Sequence, residues 1–235
     1  MNRSVILTIH SVPGHSHAPE TGKTMKVCEL FASIQGESTL QGLPTVFIRL
    51  SGCNLDCCYC DTRYARSGGT DMSVGNLIGA IAKYAIHYVC ITGGEPLLDK
   101  DMPVLAERLI AGGYTVSVET NGTIDASVLP EEAVRIIDIK CPGSGEDGKT
   151  HPGNLKDIRQ SDEYKFVVTD REDFDYACDV INKNNLLTAH AVLFSPVTDI
   201  LPASILADWI VHEMPDARLQ LQLHKIIWPG DIRGR

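Results

Sequence analysis

No stretch of this 235-residue chain approaches the roughly 20 consecutive apolar residues needed to cross a bilayer, so a membrane-spanning role is not expected. Runs rich in Lys or Arg are also missing, and 21 basic residues stand against 30 acidic ones for a formal charge of −9. Without a basic patch, electrostatic capture of nucleic-acid phosphates or anionic lipid is not expected, and small molecules are the better partners. No low-complexity tract, internal repeat or linker divides the sequence, which points to one domain over residues 25–235. The N-terminal apolar patch Val5–Ile9 is broken by Thr8 and followed by His, Pro and Gly, too short for a secretory core. A cytoplasmic protein is therefore expected, with residues 1–24 as a disordered extension.

No Gly-x-Ser-x-Gly string marks a hydrolase, and no second Cys-x2-Cys or His-x3-His pair completes a structural zinc knot. What the chain does have is 8 cysteines, which in a reducing compartment point to metal or catalysis rather than disulfides. Cys28, Cys90, Cys141 and Cys178 are isolated, whereas Cys53, Cys57 and Cys60 form C-x3-C-x2-C with Cys58 among them. Three thiolates on so short a loop reach three corners of an iron–sulfur cubane and leave the fourth iron open for chemistry. A zinc or iron–sulfur binding module without enzymatic activity is the alternative. Cys58, the neighbour of Cys57, points elsewhere and reads as a small packed residue.

Apolar runs of strand length recur at Val27–Ser33, Thr45–Leu50, Tyr88–Thr92, Thr115–Glu119, Arg135–Ile139, Tyr164–Thr169, Ala189–Phe194 and Arg218–Leu223. Helical patterns lie between several of them. Val74, Leu77, Ile78, Ile81 and Ala85 fall on one helix face behind Ser73 as N-cap, and Asp99–Ala111, Glu172–Asn184 and Pro202–Glu213 are further helices. Strands apolar on both faces that alternate with helices predict an α/β fold with a parallel sheet. In such sheets ligands sit beyond the carboxyl ends of the strands. Cys53, Gly93–Gly94, Asn121–Gly122 and Lys140 each follow a predicted strand, so several strand ends converge on one rim.

Ile91-Thr92-Gly93-Gly94-Glu95-Pro96 stands at one such strand end, where two glycines admit a ligand close to the backbone. Together with the cysteine loop it resembles the radical S-adenosylmethionine (SAM) superfamily, whose members bind the methionyl amine along that glycine strand. The flanks refine this. Ser33-Ile34-Gln35-Gly36-Glu37, Phe47-Ile48-Arg49-Leu50, Cys60-Asp61-Thr62, Glu119-Thr120-Asn121-Gly122 and Gln222-Leu223-His224-Lys225 are, in combination, similar to the 7-carboxy-7-deazaguanine synthase family, from about Met25 to Trp228.

The resemblance implies an abbreviated, open (partial TIM) radical SAM barrel of about six parallel strands with helices outside, normally a homodimer. It implies one [4Fe–4S] cluster, SAM and Mg2+ as cofactors, and an electron donor such as flavodoxin or ferredoxin. The implied reaction is that of a lyase: 6-carboxy-5,6,7,8-tetrahydropterin becomes 7-carboxy-7-deazaguanine with loss of ammonia, toward queuosine and other deazapurines. The rival within the superfamily is a glycyl-radical activase, which carries Gly-Pro-Gly-Ile-Arg before its cysteines where this chain has Gly42-Leu43-Pro44.

Carried over residue by residue, the resemblance gives Cys53, Cys57 and Cys60 to the cluster and Thr62 to Mg2+. By residue type alone Thr62 reads as a cap. The implied SAM contacts are Gly94, Glu119, Asp138, Ile139, Lys140 and the run Phe194-Ser195-Pro196-Val197. At the last two places the chain departs from the subtype with Ser-Pro-Lys and Leu-Gln-Pro-Met. The implied substrate contacts are Ile34, Gln35, Gly36, Glu37, Arg49, Thr92 and His224. The planar fork of Arg49 suits a carboxylate, an internal salt bridge being the alternative, and Gln35 and Glu37 suit the guanidine-like edge of a pterin. No protein group is assigned the chemistry beyond the cluster and SAM.

Overall fold

Residues 24–230, 233 and 234 are described by the computed structural model. The expected extension lies outside them except for Thr24, which opens the first strand. In chain order the elements are β1 (Thr24–Ile34), β2 (Pro44–Leu50), β3 (Thr70–Ser73), α1 (Val74–Ile81), β4 (Tyr88–Gly93), α2 (Met102–Ala111) and β5 (Thr115–Thr120). There follow β6 (Val134–Ile139), β7 (Glu163–Val168), α3 (Arg171–Asn184), β8 (Ala191–Pro196), α4 (Ala203–Glu213), β9 (Arg218–Leu219) and α5 (Leu223–Ile227). Among the described residues the nine strands form one sheet in the order β3-β1-β2-β4-β5-β6-β7-β8-β9. From β2 onward every neighbouring pair is parallel, and β3 and β9 remain unjoined edges, so the barrel is open.

Two expectations are corrected. The strand over 27–33 is not part of the parallel array: β1 pairs antiparallel with β2, because the 35–43 loop is too short for the crossover a parallel pair requires. The run 218–223 is not one strand. Arg218 and Leu219 pair with β8, and Leu223 already starts α5, since the Gln220 amide bonds Phe194 O and the Leu223 amide bonds Gly36 O. The edge strand β3 has no apolar run to announce it.

The helices follow their local signals. Ser73 Oγ accepts from the Asn76 amide at 3.2 Å and starts α1. Asp170 accepts from the Asp173 amide at 3.0 Å, Glu172 and Asp173 place negative charge in the first turn of α3, and Asn185 ends it at a φ of 56°. Phe174, Ala177 and Ile181 recur on one face and are buried against β7 and β8. The core thus lies between the helices and one face of the sheet. Val46, Ile48, Val89, Ile91, Val116 and Val118 meet Leu77, Ile81, Leu105 and Leu109 in one half. In the other, Ile137, Tyr164, Phe166 and Phe194 meet Phe174, Leu206 and Ile210.

The two-residue period of a strand sends the alternate residues to the opposite face. There the register sets Arg49 beside Thr92 and Asp138 beside Lys165, so the face away from the helices is polar. Among the described residues no helix is long and apolar enough to cross a membrane.

Candidate active site

The polar face opens into a cavity at the carboxyl ends of β2 and β4–β7, walled by the cysteine loop, Gly94, Asn121 and the charged strand residues. Each wall has a local cause. After β2 the chain turns through Gly52, whose φ of 103° a side chain would resist, and enters the cysteine loop. Arg63 Nη2 donates to Cys57 O at 3.2 Å and Cys58 O at 2.8 Å, Arg66 pairs with Asp56 at 2.6 Å, and the Asp56 amide donates to Glu146 at 2.7 Å. The Cys58 amide bonds Ser144 O at 3.1 Å, and its sulfur sits 2.9 Å from Gly143 O. The backbone of the loop is therefore tied down from both sides, while Cys53, Cys57 and Cys60 line the cavity and Cys58 is exposed.

This donor set fits a cubane. A cluster takes one thiolate per iron, and the three cysteines of this one short loop all line the cavity, which leaves a fourth iron for another ligand. The adjoining glycine turn is equally constrained. Glu95, fully buried, accepts from Leu97 N at 2.9 Å, Thr120 Oγ1 at 2.8 Å and Asn121 N at 2.6 Å, which pins the end of β4 to the end of β5. A Cβ on Gly94 would strike the Gly52 carbonyl and stand 2.7 Å from Cys53 Cβ, so only glycine lets this turn lie against the cysteine loop.

Across the floor runs a ladder of charge. Lys165 meets Glu37 at 2.8 Å, Asp138 at 3.1 Å and Glu119, and Lys140 meets Asp138 at 3.0 Å. Burial disfavours the Glu37 anion, but the Lys165 ammonium and hydrogen bonds from Lys165 and Gln222 outweigh it and hold the carboxyl at about 2. Burial opposes the Asp138 anion too, yet Lys140 and Lys165 keep its carboxyl below the usual range. Burial works against a charged Lys165, and Asp138, Glu119 and Glu37 raise it well above an ordinary lysine. One Asp138 oxygen and the Tyr59 hydroxyl are buried without a hydrogen-bond partner among the described residues. Orphaned polar atoms of this kind are costly unless a ligand completes them.

The remaining wall is the 35–43 loop, zipped to the C-terminal segment. Gln220 Nε2 donates to Ser38 O at 3.1 Å, Gln222 Nε2 to Glu37 at 2.7 Å, and the Thr39 amide to Glu163 at 3.0 Å. Gly36 packs so close to His224 that a Cβ there would overlap the imidazole. Lys225 pairs with Asp61 at 3.2 Å. Thr62 precedes a short turn of 3-10 helix but does not cap it, and its hydroxyl lies 3.8 Å from Cys60 Sγ.

Most of the residues singled out from the sequence meet in this cavity: Cys53, Cys57, Cys60, Thr62, Gly94, Glu119, Asp138, Lys140, Val197, Ile34, Gln35, Gly36, Glu37, Arg49, Thr92 and His224. Four do not reach it. Ile139 and Phe194 belong to the helix-facing core, because their places in β6 and β8 are out of phase with the polar face. Ser195 is in phase but is covered, 1% exposed, and Pro196 also stands off the lining. Asn121, a strand-end residue, and Gln222, from the C-terminal motif, line the cavity as well, and it also holds Lys165 and Tyr59, which no sequence motif assigns to the site. A lysine inside the apolar run Tyr164–Val168 is a signal for Lys165, since lysine is rarely buried unless paired.

A parallel α/β sheet that presents a three-cysteine loop and a glycine turn at its carboxyl rim defines a radical SAM domain, and residues 47–141 match the model of the Radical SAM superfamily. The crystal structure of QueE from Escherichia coli superposes with a TM-score of 0.72 over 86% of this chain and 95% of that one, at 22% identity. The 7-carboxy-7-deazaguanine synthase of Methanospirillum hungatei is 44% identical over 216 residues, 90% of this chain and 89% of that protein. That of Koribacter versatilis is 37% identical over 225 residues, 89% and 100% of the two. The chain belongs to the 7-carboxy-7-deazaguanine synthase family.

Proposed function

We propose that this protein is a radical SAM lyase that converts 6-carboxy-5,6,7,8-tetrahydropterin to 7-carboxy-7-deazaguanine with loss of ammonia, in queuosine and 7-deazapurine biosynthesis. The observation that carries the reading is the meeting, in one cavity, of the cysteine loop and Gly94 with the pterin-matching set Gln35, Glu37, Arg49 and His224. Cys53, Cys57 and Cys60 would hold a [4Fe–4S] cluster which, with SAM bound and an electron from a donor such as flavodoxin or ferredoxin, supplies the radical chemistry.

The chain's own residues bind and orient. Gly94 offers an unhindered backbone to the methionyl end of SAM. Glu119 is placed for ribose hydroxyls, and the unpartnered Asp138 oxygen is an acceptor for the adenosyl group. Arg49 is the cation for the pterin carboxylate, with its Nε held by Glu29 at 3.2 Å. Gln35 and Glu37 supply polar groups to the guanidine-like edge. A Mg2+ ion on Thr62 is supported by a hydroxyl that caps nothing and lines the cavity.

Exposed Leu219, Ile226 and Ile227 along the β9–α5 edge support a homodimer. The eight unpaired cysteines support a reducing, cytoplasmic setting. The test is incubation of the reconstituted protein with SAM, reductant and the carboxylated tetrahydropterin, followed by mass spectrometry. A product lighter by ammonia is expected. Active SAM cleavage without that product would assign the cavity to another substrate.

A further inference from the structure

Three carboxylates from three separate segments converge on one ammonium. Lys165, whose side chain is 5% exposed, meets Glu37 from the 35–43 loop, Glu119 from β5 and Asp138 from β6. An ammonium carries three N–H donors, and here each has a carboxylate to serve. Asp138 has a second cation in Lys140, and Glu119 also receives Thr92 Oγ1 at 3.5 Å. Glu37 has neutral Gln222 at 2.7 Å and faces His224, but among the described residues its ion pair is with Lys165. A carboxylate taken out of water stays an anion in one orientation where a cation and hydrogen bonds hold it. The lysine thus joins the wall assigned to the pterin with the wall assigned to the adenosyl group.

We propose that Lys165 is a positioning residue for the pterin: by tying Glu37 to Glu119 and Asp138 it fixes the Glu37 carboxylate against the substrate's guanidine-like edge. The inference rests on the pterin reading above. Lys165 acts through Glu37, so its contribution should vanish when Glu37 no longer carries a charge.

The experiment is a double-mutant cycle read by equilibrium binding of 6-carboxypterin, a non-reacting analogue, to the cluster-loaded protein with SAM. Lys165→Met should weaken binding on the order of tenfold or more in the native background, and less than about threefold in the Glu37→Gln background. Lys165→Met should also make binding fall as pH drops from about 8 to about 6, because a buried carboxyl without its cation takes up a proton. His224 also faces Glu37 and is present in both proteins, so the pH profile of the native protein is the control. Equal losses in both backgrounds, or an unchanged pH profile, would overturn the proposal. If Lys165→Met does not retain its cluster, Lys165→Gln enters the same cycle under the same criterion. A native protein that cleaves SAM but binds no pterin overturns the pterin reading and this inference with it. Additivity on a native protein that does bind overturns this inference alone.

Discussion

Arg49 of β2 and Glu29 of β1 pair across the antiparallel ladder, Nε to carboxylate at 3.2 Å, and Tyr64 donates to the same carboxylate at 3.0 Å. The internal salt bridge and the substrate-facing role are therefore not alternatives. Glu29 occupies Nε, and among the described residues the two terminal nitrogens of the cavity-lining guanidinium make no hydrogen bond. We expect Arg49→Ala to lower kcat/KM for the pterin by a charged hydrogen bond's worth, about 1.5–3 kcal/mol or roughly 10- to 150-fold. Formation of 5′-deoxyadenosine without pterin should fall much less. Equal losses in the two assays would confine Arg49 to the salt bridge.

Anaerobically prepared protein is expected to be brown and to hold about four irons per chain. Replacing any of Cys53, Cys57 or Cys60 by Ala should remove the cluster, whereas Cys58→Ala should keep it, since that exposed thiol leans on Gly143 O. Iron analysis and the visible spectrum decide this. Stoichiometric zinc in colourless protein would defeat the enzyme reading.

For Thr62 the expectation is synergy. A neutral oxygen cannot by itself hold a strongly hydrated cation, so Mg2+ should bind weakly without pterin and tightly with it, and linkage makes the effect reciprocal. Thr62→Val should abolish the gain in pterin affinity that Mg2+ brings, with cluster content unchanged. A variant that keeps the full gain would remove Thr62 from the metal shell.

Folding lowers the Glu37 carboxyl from 4.5 to about 2. A carboxylate depressed in the folded state contributes stability that is present above its unfolded value and is lost as pH falls through the folded one. The urea midpoints of the native protein and Glu37→Gln, measured across pH, should therefore differ by a constant amount above about pH 5 and converge toward about pH 2. A difference that does not change with pH would mean that the two oxygens of Glu37 matter by shape rather than by charge.

Away from the site, Arg135 and Asp162 form a buried bidentate pair, Nε to Oδ1 at 2.7 Å, with both side chains 0% exposed. Arg135→Met strands a buried carboxylate and should cost about 3–5 kcal/mol, read as a lowered urea midpoint. A loss within 1 kcal/mol or so would show that water reaches Asp162 once the arginine is gone.

Much of the fold was legible because parallel strands and amphipathic helices have periods that a sequence displays directly. Phe174, Ala177 and Ile181 announce the helix face, and Ser73 announces its cap, whatever the rest of the chain does. The cysteine loop and the glycine turn were legible for a related reason: a cluster needs its ligands close together, so the chemistry is written in local spacing. What stayed hidden are pairings between distant positions. Glu29 with Arg49, Lys165 with Glu37, and Asp61 with Lys225 lie 20, 128 and 164 residues apart, and nothing local in either partner encodes the other. The face of a strand residue was hidden as well. The resemblance implies SAM contacts at Phe194 and Ile139, and their side chains lie in the core, because one step along a strand turns a side chain from cavity to core and that phase is set by register with neighbours. Composition, elements and local ligand sets are thus properties of the chain. The direction of β1, the phase of β6 and β8, and the charge ladder on Lys165 exist only once segments far apart in sequence share one sheet, because burial and pairing are relations between segments.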